Sequence, residues 1–244
     1  RFSKNNDIAA FIMESGAQMA GGVIIYPKDF QKKIRELCKK YDILFVLDEI
    51  ATGFGRLGSM VQYQDQKSIP DIVAYGKMLT GGYLTMAATL ANKKIYDSFS
   101  GEFNEWKHLF HGHTYTGNPI AAAVANENLQ MYKKYNLIKQ VQKTSKIFEK
   151  YSQEILDMDI VGDVRHKGML MGIELVSNKK KKTPIRTKKS INKVFFEEGK
   201  KQGIYLRTLG NIVMLVPPLS IQQNELELLL KKTIKTIQVA KSKT

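Results

Sequence analysis

The chain has 244 residues, of which 43% are hydrophobic and 25% charged, and its formal net charge is +15. These values are ordinary for a globular protein, so they exclude a disordered chain, a collagen-like repeat and a disulfide scaffold. The single cysteine, Cys38, has no partner for an internal disulfide, which favours a reducing compartment such as the cytoplasm. Apolar runs such as 43–47 are far shorter than the ~20 residues that span a bilayer, so no membrane partner is expected.

The positive charge is concentrated in the second half of the chain. Residues 1–134 hold 16 Lys and Arg against 13 Asp and Glu, a net of +3, whereas residues 135–244 hold 22 against 10, a net of +12. A basic half is typical of nucleic-acid-binding proteins and also of solvated helix faces. The lysine run 179–182 contains no aromatic residue and matches no nucleic-acid motif, so we favour a solvated face and expect no nucleic-acid partner.

The first half alternates apolar strands with amphipathic helices, a pattern that predicts an α/β domain with a mostly parallel sheet. A helix should begin after Pro27, and Asn118 followed by Pro119 has the sequence of a helix N-cap and first helical position. Strands are predicted at 8–13, 43–47, 71–75 and 85–90, and the apolar stripe of the first helix at Phe30, Ile34, Leu37, Cys38 and Tyr41.

The second half predicts a smaller α+β domain. We expect a strand near 169–176, a lysine-rich loop, a helix near 188–202, two short strands and a terminal helix. The stripe of the terminal helix consists of Leu226, Leu229, Leu230, Ile234 and Ile237. The long alanine-rich helix after Pro119 should end the first domain, which divides the chain into residues 1–134 and 135–244.

A segment with two carboxylates follows the predicted strand 43–47. It reads L-D-E-I-A-T-G-F-G-R from Leu47 to Arg56. Open α/β sheets bind their ligands at the carboxyl ends of the strands, so Asp48 is placed for function. The same pattern is compatible with a Walker B box or with an acidic residue that only caps the next element. No phosphate-binding loop G-x-x-x-x-G-K-[ST] occurs in the chain, which weakens the Walker B interpretation.

A lysine follows the next predicted strand, 29 residues after Asp48. Lys77 lies between Gly76 and the pair Gly81 and Gly82. A lysine enclosed by glycines at a strand end is unusual for a surface residue, and we expect its side chain to be withdrawn from solvent. A desolvated lysine is a nucleophilic amine that forms Schiff bases with carbonyls. A pyridoxal cofactor requires such a lysine together with an acidic partner for its ring nitrogen, and Asp48 is a candidate partner.

Several ordered motifs now point to one family. They are D-E-I-x-x-G-F-G-R from Asp48, G-K-x-x-x-G-G from Gly76, and H-G-H-T-Y-T-G-N-P from His111. G-I-Y-L-R ending at Arg207 follows, with a later Pro-Pro pair at 217–218. With these motifs the chain resembles the class III (subgroup II) pyridoxal-phosphate aminotransferases of fold type I over essentially its whole length.

The resemblance implies roles for individual residues. Lys77 would bind pyridoxal 5′-phosphate covalently and shuttle a proton, and Asp48 would keep the pyridinium nitrogen protonated. Ile50 would pack against one face of the cofactor ring. Thr114 would bind the cofactor phosphate of a neighbouring subunit, so the resemblance implies a homodimer with active sites at its interface. Small-molecule substrates are implied, with Arg207, Gly112 and Lys77 as the residues that bind them.

The chain departs from the family pattern at a few positions. Ser15 and Thr208 occupy places where the family usually has proline, next to Glu14 and Arg207. The family's Gly-Ser phosphate loop and ring-stacking aromatic residue have no counterpart among the 244 residues. We therefore expect the chain to be the C-terminal part of the enzyme, with part of the cofactor domain missing, and to be inactive by itself.

Two other functions remain open at this point. A different class III ω-amine transaminase shares the Asp48 and Lys77 motifs, and a non-catalytic nucleic-acid or nucleotide-binding protein would use the basic second half. His108, His111 and His113 form H-x-x-H-x-H, which is compatible with a metal site. Because no cysteine lies near and the family motif already accounts for the loop, we expect no metal.

Overall fold

The computed structural model describes residues 7–185 and 190–241, which divide into two compact units. Among the described residues, the first unit contains 7–16, 26–54 and 59–136, and the second contains 17–25, 55–58 and everything from 137 onward. The sequence predicts one division of the chain, after residue 134. In the structure, two short segments before that point, 17–25 and 55–58, belong to the second unit. No helix of the described residues is long and apolar enough to cross a membrane.

The described residues form both strands and helices. The strands are β1 (Ala10–Glu14), β2 (Ala17–Gln18), β3 (Ile24–Ile25), β4 (Leu44–Asp48), β5 (Ile72–Tyr75), β6 (Ala88–Ala91), β7 (Val161–Lys167), β8 (Leu170–Asn178), β9 (Thr183–Pro184), β10 (Arg207–Leu209) and β11 (Ile212–Leu215). The helices are α1 (Phe30–Lys40), α2 (Gln62–Asp65), α3 (Lys93–Ser98), α4 (Pro119–Lys134), α5 (Leu137–Thr144), α6 (Lys146–Leu156), α7 (Ile191–Lys201) and α8 (Gln223–Lys241). Lys77–Thr80 and Phe103–Glu105 form 3₁₀ turns.

The first unit is built on a four-stranded sheet in the order β1-β4-β5-β6. The first three strands are parallel and β6 is antiparallel to β5, so the sheet is mixed but mostly parallel. The register pairs Glu14 with Asp48 and Asp48 with Ala74, which aligns the carboxyl ends of the three parallel strands. Residues that follow β4 and β5 are consequently brought to the same edge of the sheet.

Several elements of the first unit differ from the expectation. The apolar strand predicted at 8–13 is present as β1, but it lies at the edge of this sheet instead of in its buried interior, and Ile12 is 69% exposed. The strand expected at 85–90 begins only at Ala88, because residues 81–87 first form a loop in which Gly81 and Gly82 adopt positive φ. Of the apolar stripe predicted for α1, Cys38 is fully buried, whereas Phe30 and Leu37 are each 38% exposed, and the other fully buried residue is the polar Gln31.

The helix predicted to follow Asn118 is confirmed. The Asn118 side chain accepts hydrogen bonds from the backbone N–H groups of Ile120 and Ala121, both at 3.0 Å, and Pro119 is the first helical residue. Ala121, Ala125 and Tyr132 are the buried residues of α4. The Tyr132 hydroxyl also donates to the Phe54 carbonyl oxygen at 2.8 Å. The cap and these contacts anchor α4 within the first unit.

The second unit contains an antiparallel sheet in the order β10-β11-β8-β7, with β9 paired to β8. The terminal helix has the predicted stripe, with Leu226, Leu230, Ile234 and Ile237 buried. Strand β7 and helices α5 and α6 were not predicted, and β7 pairs with β8 through a hairpin. The helix predicted near 188–202 begins at Ile191, and its expected first residues lie outside the described ones. Lysines 179–182 are exposed, in agreement with a solvated run.

The turn of the β7–β8 hairpin contacts the segment 55–58 within the second unit. Gly168 adopts a φ of +55°, and the Met169 N–H donates to the Arg56 carbonyl oxygen at 2.8 Å. The Arg56 guanidinium is buried and donates to the carbonyl oxygens of Met169 and Pro217 at 2.9 and 2.6 Å. The final residue of the G-F-G-R motif is therefore a structural element that binds backbone carbonyls.

Candidate active site

Lys77 is the first residue of a 3₁₀ turn that is separated from β5 by Gly76 alone. Gly76 before it is extended, with a φ of −168° and a ψ of −153°, whereas Lys77 has a φ of +40°. A residue other than glycine in the left-handed region costs about 1–3 kcal/mol and is found where the surroundings enforce it, often at functional sites. The turn therefore holds this lysine in a conformation that a free chain avoids.

The side chain of Asn128 on α4 binds this turn. Its Nδ2 donates to the carbonyl oxygens of Met78 and Leu79 at 2.7 and 3.1 Å. The Thr80 hydroxyl donates to the Leu84 carbonyl oxygen at 2.5 Å and closes the loop that follows the turn. The backbone that follows Lys77 is thus held by the Asn128 side chain from α4 and by the Thr80 side chain of the turn itself.

Asp48 ends β4, the strand that neighbours β5. Its Oδ1 accepts a hydrogen bond from the Ile50 N–H at 2.8 Å. Oδ2 has no hydrogen-bond partner among the described residues and is available to a ligand. The backbone carbonyl of Asp48 accepts from the Ser15 N–H at 3.0 Å. Proline at position 15 has no N–H to donate, so the departure from the family pattern adds a bond to the end of β4.

A buried polar network underlies the ends of β1 and β4. Glu49 is fully buried and accepts from the backbone N–H groups of Gln62 and Tyr63 at 2.9 and 2.7 Å. Burial raises the pKa of the Glu49 carboxyl, and these two donors offset part of that effect. Gln31 is also fully buried, and its amide donates to the hydroxyl of Ser15 at 3.0 Å. The network holds the segment after Asp48 in place without using the Asp48 carboxylate.

Lys77 lines a pocket of about 890 Å³ in the first unit. Ile50 contributes an apolar wall, and Gly76 lies so close to it that an added Cβ would be 3.3 Å from Ile50 Cγ2. The loop from His111 to Asn118 forms another wall, to which Gly112 contributes. Three residues predicted from the sequence, Ile50, Lys77 and Gly112, are therefore brought together around one cavity.

The exposure of Lys77 differs from the expectation. Its side chain is exposed rather than withdrawn from solvent, because it starts the turn at the wall of an open pocket instead of lying in the sheet. In this segment the buried side chains are those of Leu79 and Thr80. Lysine between glycines therefore indicated a special backbone conformation and not a buried side chain.

The loop that begins at His111 is organised by its own side chains. The Thr116 hydroxyl oxygen accepts from the His113 N–H at 2.9 Å, and His113 Nδ1 accepts from the Tyr115 N–H at 3.1 Å. Thr114 is exposed and is not among the residues that line the pocket. It projects from a loop whose neighbours on both sides line that pocket, so its role toward another subunit stays a prediction.

Arg207 belongs to the second unit, where it is the first residue of β10 and is exposed. Its predicted role in binding a substrate carboxylate stays a prediction. Thr208, at the other position where the family has proline, is buried, and its N–H donates to the Asn192 side chain at 3.0 Å. Within the described ranges, no group of three or more His, Cys, Asp or Glu side chains has the arrangement of a metal site.

Sequence reasoning missed two residues that shape this site. Glu49 stands next to Asp48 in the motif, but its burial and its two N–H donors depend on where Gln62 and Tyr63 fold. Asn128 lies in the middle of α4, where asparagine is an unfavourable helix residue, and that mismatch was an available signal. An asparagine inside a helix often makes a side-chain hydrogen bond to a residue outside that helix.

A strained lysine that follows one strand and a carboxylate at the end of the neighbouring strand form the arrangement that the resemblance to the aminotransferases predicts. The family described as Aminotransferase class-III matches residues 2–237, and the chain belongs to this family. The chain is 41% identical over 228 residues to adenosylmethionine-8-amino-7-oxononanoate aminotransferase of Staphylococcus aureus, with 93% of this chain and 50% of that protein covered. The expected family is therefore confirmed.

Solved structures give the same result for the fold. The enzyme of that name from Methanocaldococcus jannaschii matches with a TM-score of 0.88 at 40% identity, over 93% of this chain and 53% of the other. The omega transaminase of Pseudomonas jessenii in complex with PMP matches with a TM-score of 0.88 at 31% identity, over 95% and 51%. The expected fold type is confirmed, and the chain spans about half the length of the relatives that it matches.

The residues present fit pyridoxal phosphate, the expected cofactor of the family. The pocket provides an amine at Lys77 and an apolar wall at Ile50, and an available carboxylate oxygen at Asp48 lies at the adjacent strand end. An amine, an apolar surface and a carboxylate are the groups that a pyridoxal ring requires for its aldehyde, its face and its nitrogen.

Proposed function

We propose that the chain is part of a pyridoxal-phosphate-dependent aminotransferase of biotin biosynthesis. The reaction would transfer an amino group to 8-amino-7-oxononanoate (7-keto-8-aminopelargonate) and give 7,8-diaminopelargonate. The observation that carries the proposal is Lys77, held at positive φ on a pocket wall at the strand end next to Asp48. The substrate is supported by the names of the relatives from Staphylococcus aureus and Methanocaldococcus jannaschii.

The cofactor supplies an electron sink that stabilises the carbanion formed at the substrate carbon. Lys77 Nζ would hold the cofactor covalently, and the same amine would accept and return a proton at the substrate Cα. Asp48 Oδ2 would hold a proton on the ring nitrogen, and the bond from the Ile50 N–H orients that carboxylate. Ile50 would pack on the ring and exclude water from one of its faces.

The substrate carboxylate is assigned to Arg207 as a proposal, because a planar guanidinium binds a carboxylate through two parallel hydrogen bonds. The amino donor is proposed to be S-adenosylmethionine, which the names of the relatives include. Lysine is the alternative donor, and a simple ω-amine would be the donor of the alternative ω-amine transaminase. These choices concern the complete protein, of which this chain is the part described.

The substrate proposal predicts the outcome of a direct assay. The protein from its complete reading frame, supplied with pyridoxal phosphate, should convert 8-amino-7-oxononanoate to 7,8-diaminopelargonate, measured by mass spectrometry. We expect product with S-adenosylmethionine and none with lysine or γ-aminobutyrate as sole donor. Product with lysine alone would replace the proposed donor. Amino transfer from γ-aminobutyrate to a simple keto acid, without diaminopelargonate, would favour the ω-amine transaminase instead.

We also propose that the protein acts as a homodimer. The segment 99–115 exposes a cluster of aromatic side chains, with Phe103 81%, Trp106 69% and Phe110 76% exposed. Neighbouring rings are in contact, with centroids 6.1 Å apart for Phe103 and Trp106 and 6.4 Å for Trp106 and Phe110. Exposed apolar clusters of this kind mark interaction surfaces. Thr114, near the end of this segment, would then reach the partner's cofactor phosphate.

The dimer proposal predicts a mass of two chains in sedimentation equilibrium of the full-length protein. Replacing Trp106 by serine should weaken the association at least about tenfold, because buried aromatic residues dominate interface energies. The matched control replaces Tyr96, which is equally exposed but lies outside the cluster, by serine. This variant should keep the wild-type mass. A monomeric wild-type protein would contradict the proposal.

A further inference from the structure

We propose that Asn128 is a positioning residue for Lys77, which acts through the backbone of the turn and not on the reacting atoms. The inference rests on the proposed function of Lys77 and extends it to the support of the turn. Its basis is the pair of hydrogen bonds from one amide nitrogen to the carbonyl oxygens of Met78 and Leu79, the two residues that follow Lys77.

Backbone bonds close the turn at both of its ends. The Leu79 N–H donates to the Gly76 carbonyl at 2.9 Å, and the Gly81 N–H donates to the Met78 carbonyl at 3.2 Å. The last carbonyls of any short helix lack partners within it. Lys77 also adopts a left-handed conformation, which persists only where the surroundings enforce it. External bonds to the carbonyls of this turn therefore bear directly on the conformation of Lys77.

Asn128 contacts both the middle and the end of the turn. Besides its donation to the two carbonyls, its Oδ1 lies 3.1 Å from the position that a Cβ on Gly81 would occupy. Gly81, with a φ of +62°, is the C-cap of the turn. The supporting helix is itself fixed by its Asn118 cap and by its buried residues. Helix α4, anchored in this way, thus carries a side-chain amide that binds the lysine-bearing turn.

Substitution of Asn128 tests this role. Aspartate keeps the shape of asparagine but has only acceptor oxygens when ionised, so it loses both bonds. Alanine removes the side chain and favours the helix, so this second variant should fold even if the first does not. Asn126→Ala is the matched control, because Asn126 is an exposed asparagine on the same helix whose side chain has no hydrogen bond among the described residues.

The measurement uses the full-length protein and pyridoxal phosphate. We follow the rate at which a borohydride-trapped adduct appears on Lys77 and the pH midpoint of the visible absorption of the loaded protein. Asn128→Asp and Asn128→Ala should slow adduct formation about tenfold and shift the midpoint, as loss of two hydrogen bonds predicts. Asn126→Ala should match wild type in both readouts. Thermal unfolding without cofactor reports whether each variant is folded.

The outcomes separate the inference from the function on which it rests. If wild type forms the adduct and the folded Asn128 variants match it in rate and in midpoint, Asn128 is only a structural residue and the inference is wrong. If wild type forms no adduct on Lys77, the proposed function fails and the inference fails with it. Slower adduct formation with a shifted midpoint, confined to the Asn128 variants, supports the positioning role.

Discussion

Replacing Lys77 with arginine is expected to reduce amino transfer by at least about 10³-fold in the full-length enzyme. Arginine keeps the positive charge, but its guanidinium does not deprotonate and therefore provides neither a nucleophile nor a proton carrier. The measurement is kcat/KM with 8-amino-7-oxononanoate as acceptor, together with the visible absorption of bound cofactor. In the variant kcat/KM should fall by that factor, and the absorption band of the covalently bound cofactor should be absent.

A second lysine provides the control for this substitution. Lys93 is exposed at the start of α3 and pairs with Asp97 at 2.7 Å, away from the pocket lining. Lys93→Arg preserves that exposed ion pair, and such pairs contribute little to stability. We expect wild-type kinetics from it. Activity of Lys77→Arg within tenfold of wild type would mean that another amine carries the chemistry.

Replacing Gly168 with alanine is expected to destabilise the protein by about 3–5 kcal/mol. An added Cβ would lie 2.4 Å from the Leu57 carbonyl carbon and 2.6 Å from both the Arg56 carbonyl oxygen and the Gly58 nitrogen. All three are backbone atoms, which move only if the segment 55–58 moves. The new residue would also have to adopt a φ of +55°.

Gly210 separates these two causes. Its φ is +56°, but no atom lies within 4 Å of an added Cβ. Gly210→Ala should therefore cost only the conformational penalty, about 1–2 kcal/mol. Urea denaturation of both variants gives the two free energies of unfolding. If they are equal, the hairpin turn and the segment 55–58 are not packed as described.

The sequence was informative where local chemistry decides the structure. The Asn118–Pro119 helix start, the apolar strand before Asp48 and the stripe of α8 all follow from propensity and periodicity, and all are present. The glycines around Lys77 identified that residue, the family resemblance identified Ile50, and the structure brings both to one pocket. A residue next to glycines at a strand end can be recognised from sequence, because the tight turn that the glycines permit involves only neighbouring residues.

Contacts between distant segments were not predictable in this way. Gln31 occupies a helix face expected to be apolar because Ser15 and Ser68, 16 and 37 residues away, supply its hydrogen bonds. The exposure of Lys77 depends on the shape of the pocket, and the role of Asn128 depends on a turn about 50 residues earlier. Single-sequence periodicity has no access to such pairings, since they arise only when the elements pack.

Mapping of the trapped cofactor tests the central claim most directly. The full-length protein is incubated with pyridoxal phosphate, reduced with borohydride and digested, and its peptides are sequenced by mass spectrometry. We predict one stoichiometric phosphopyridoxyl group, located on Lys77, and its absence in Lys77→Arg. A modification spread over exposed lysines such as those at 179–182, with Lys77 unmodified, would contradict the assignment of the active site.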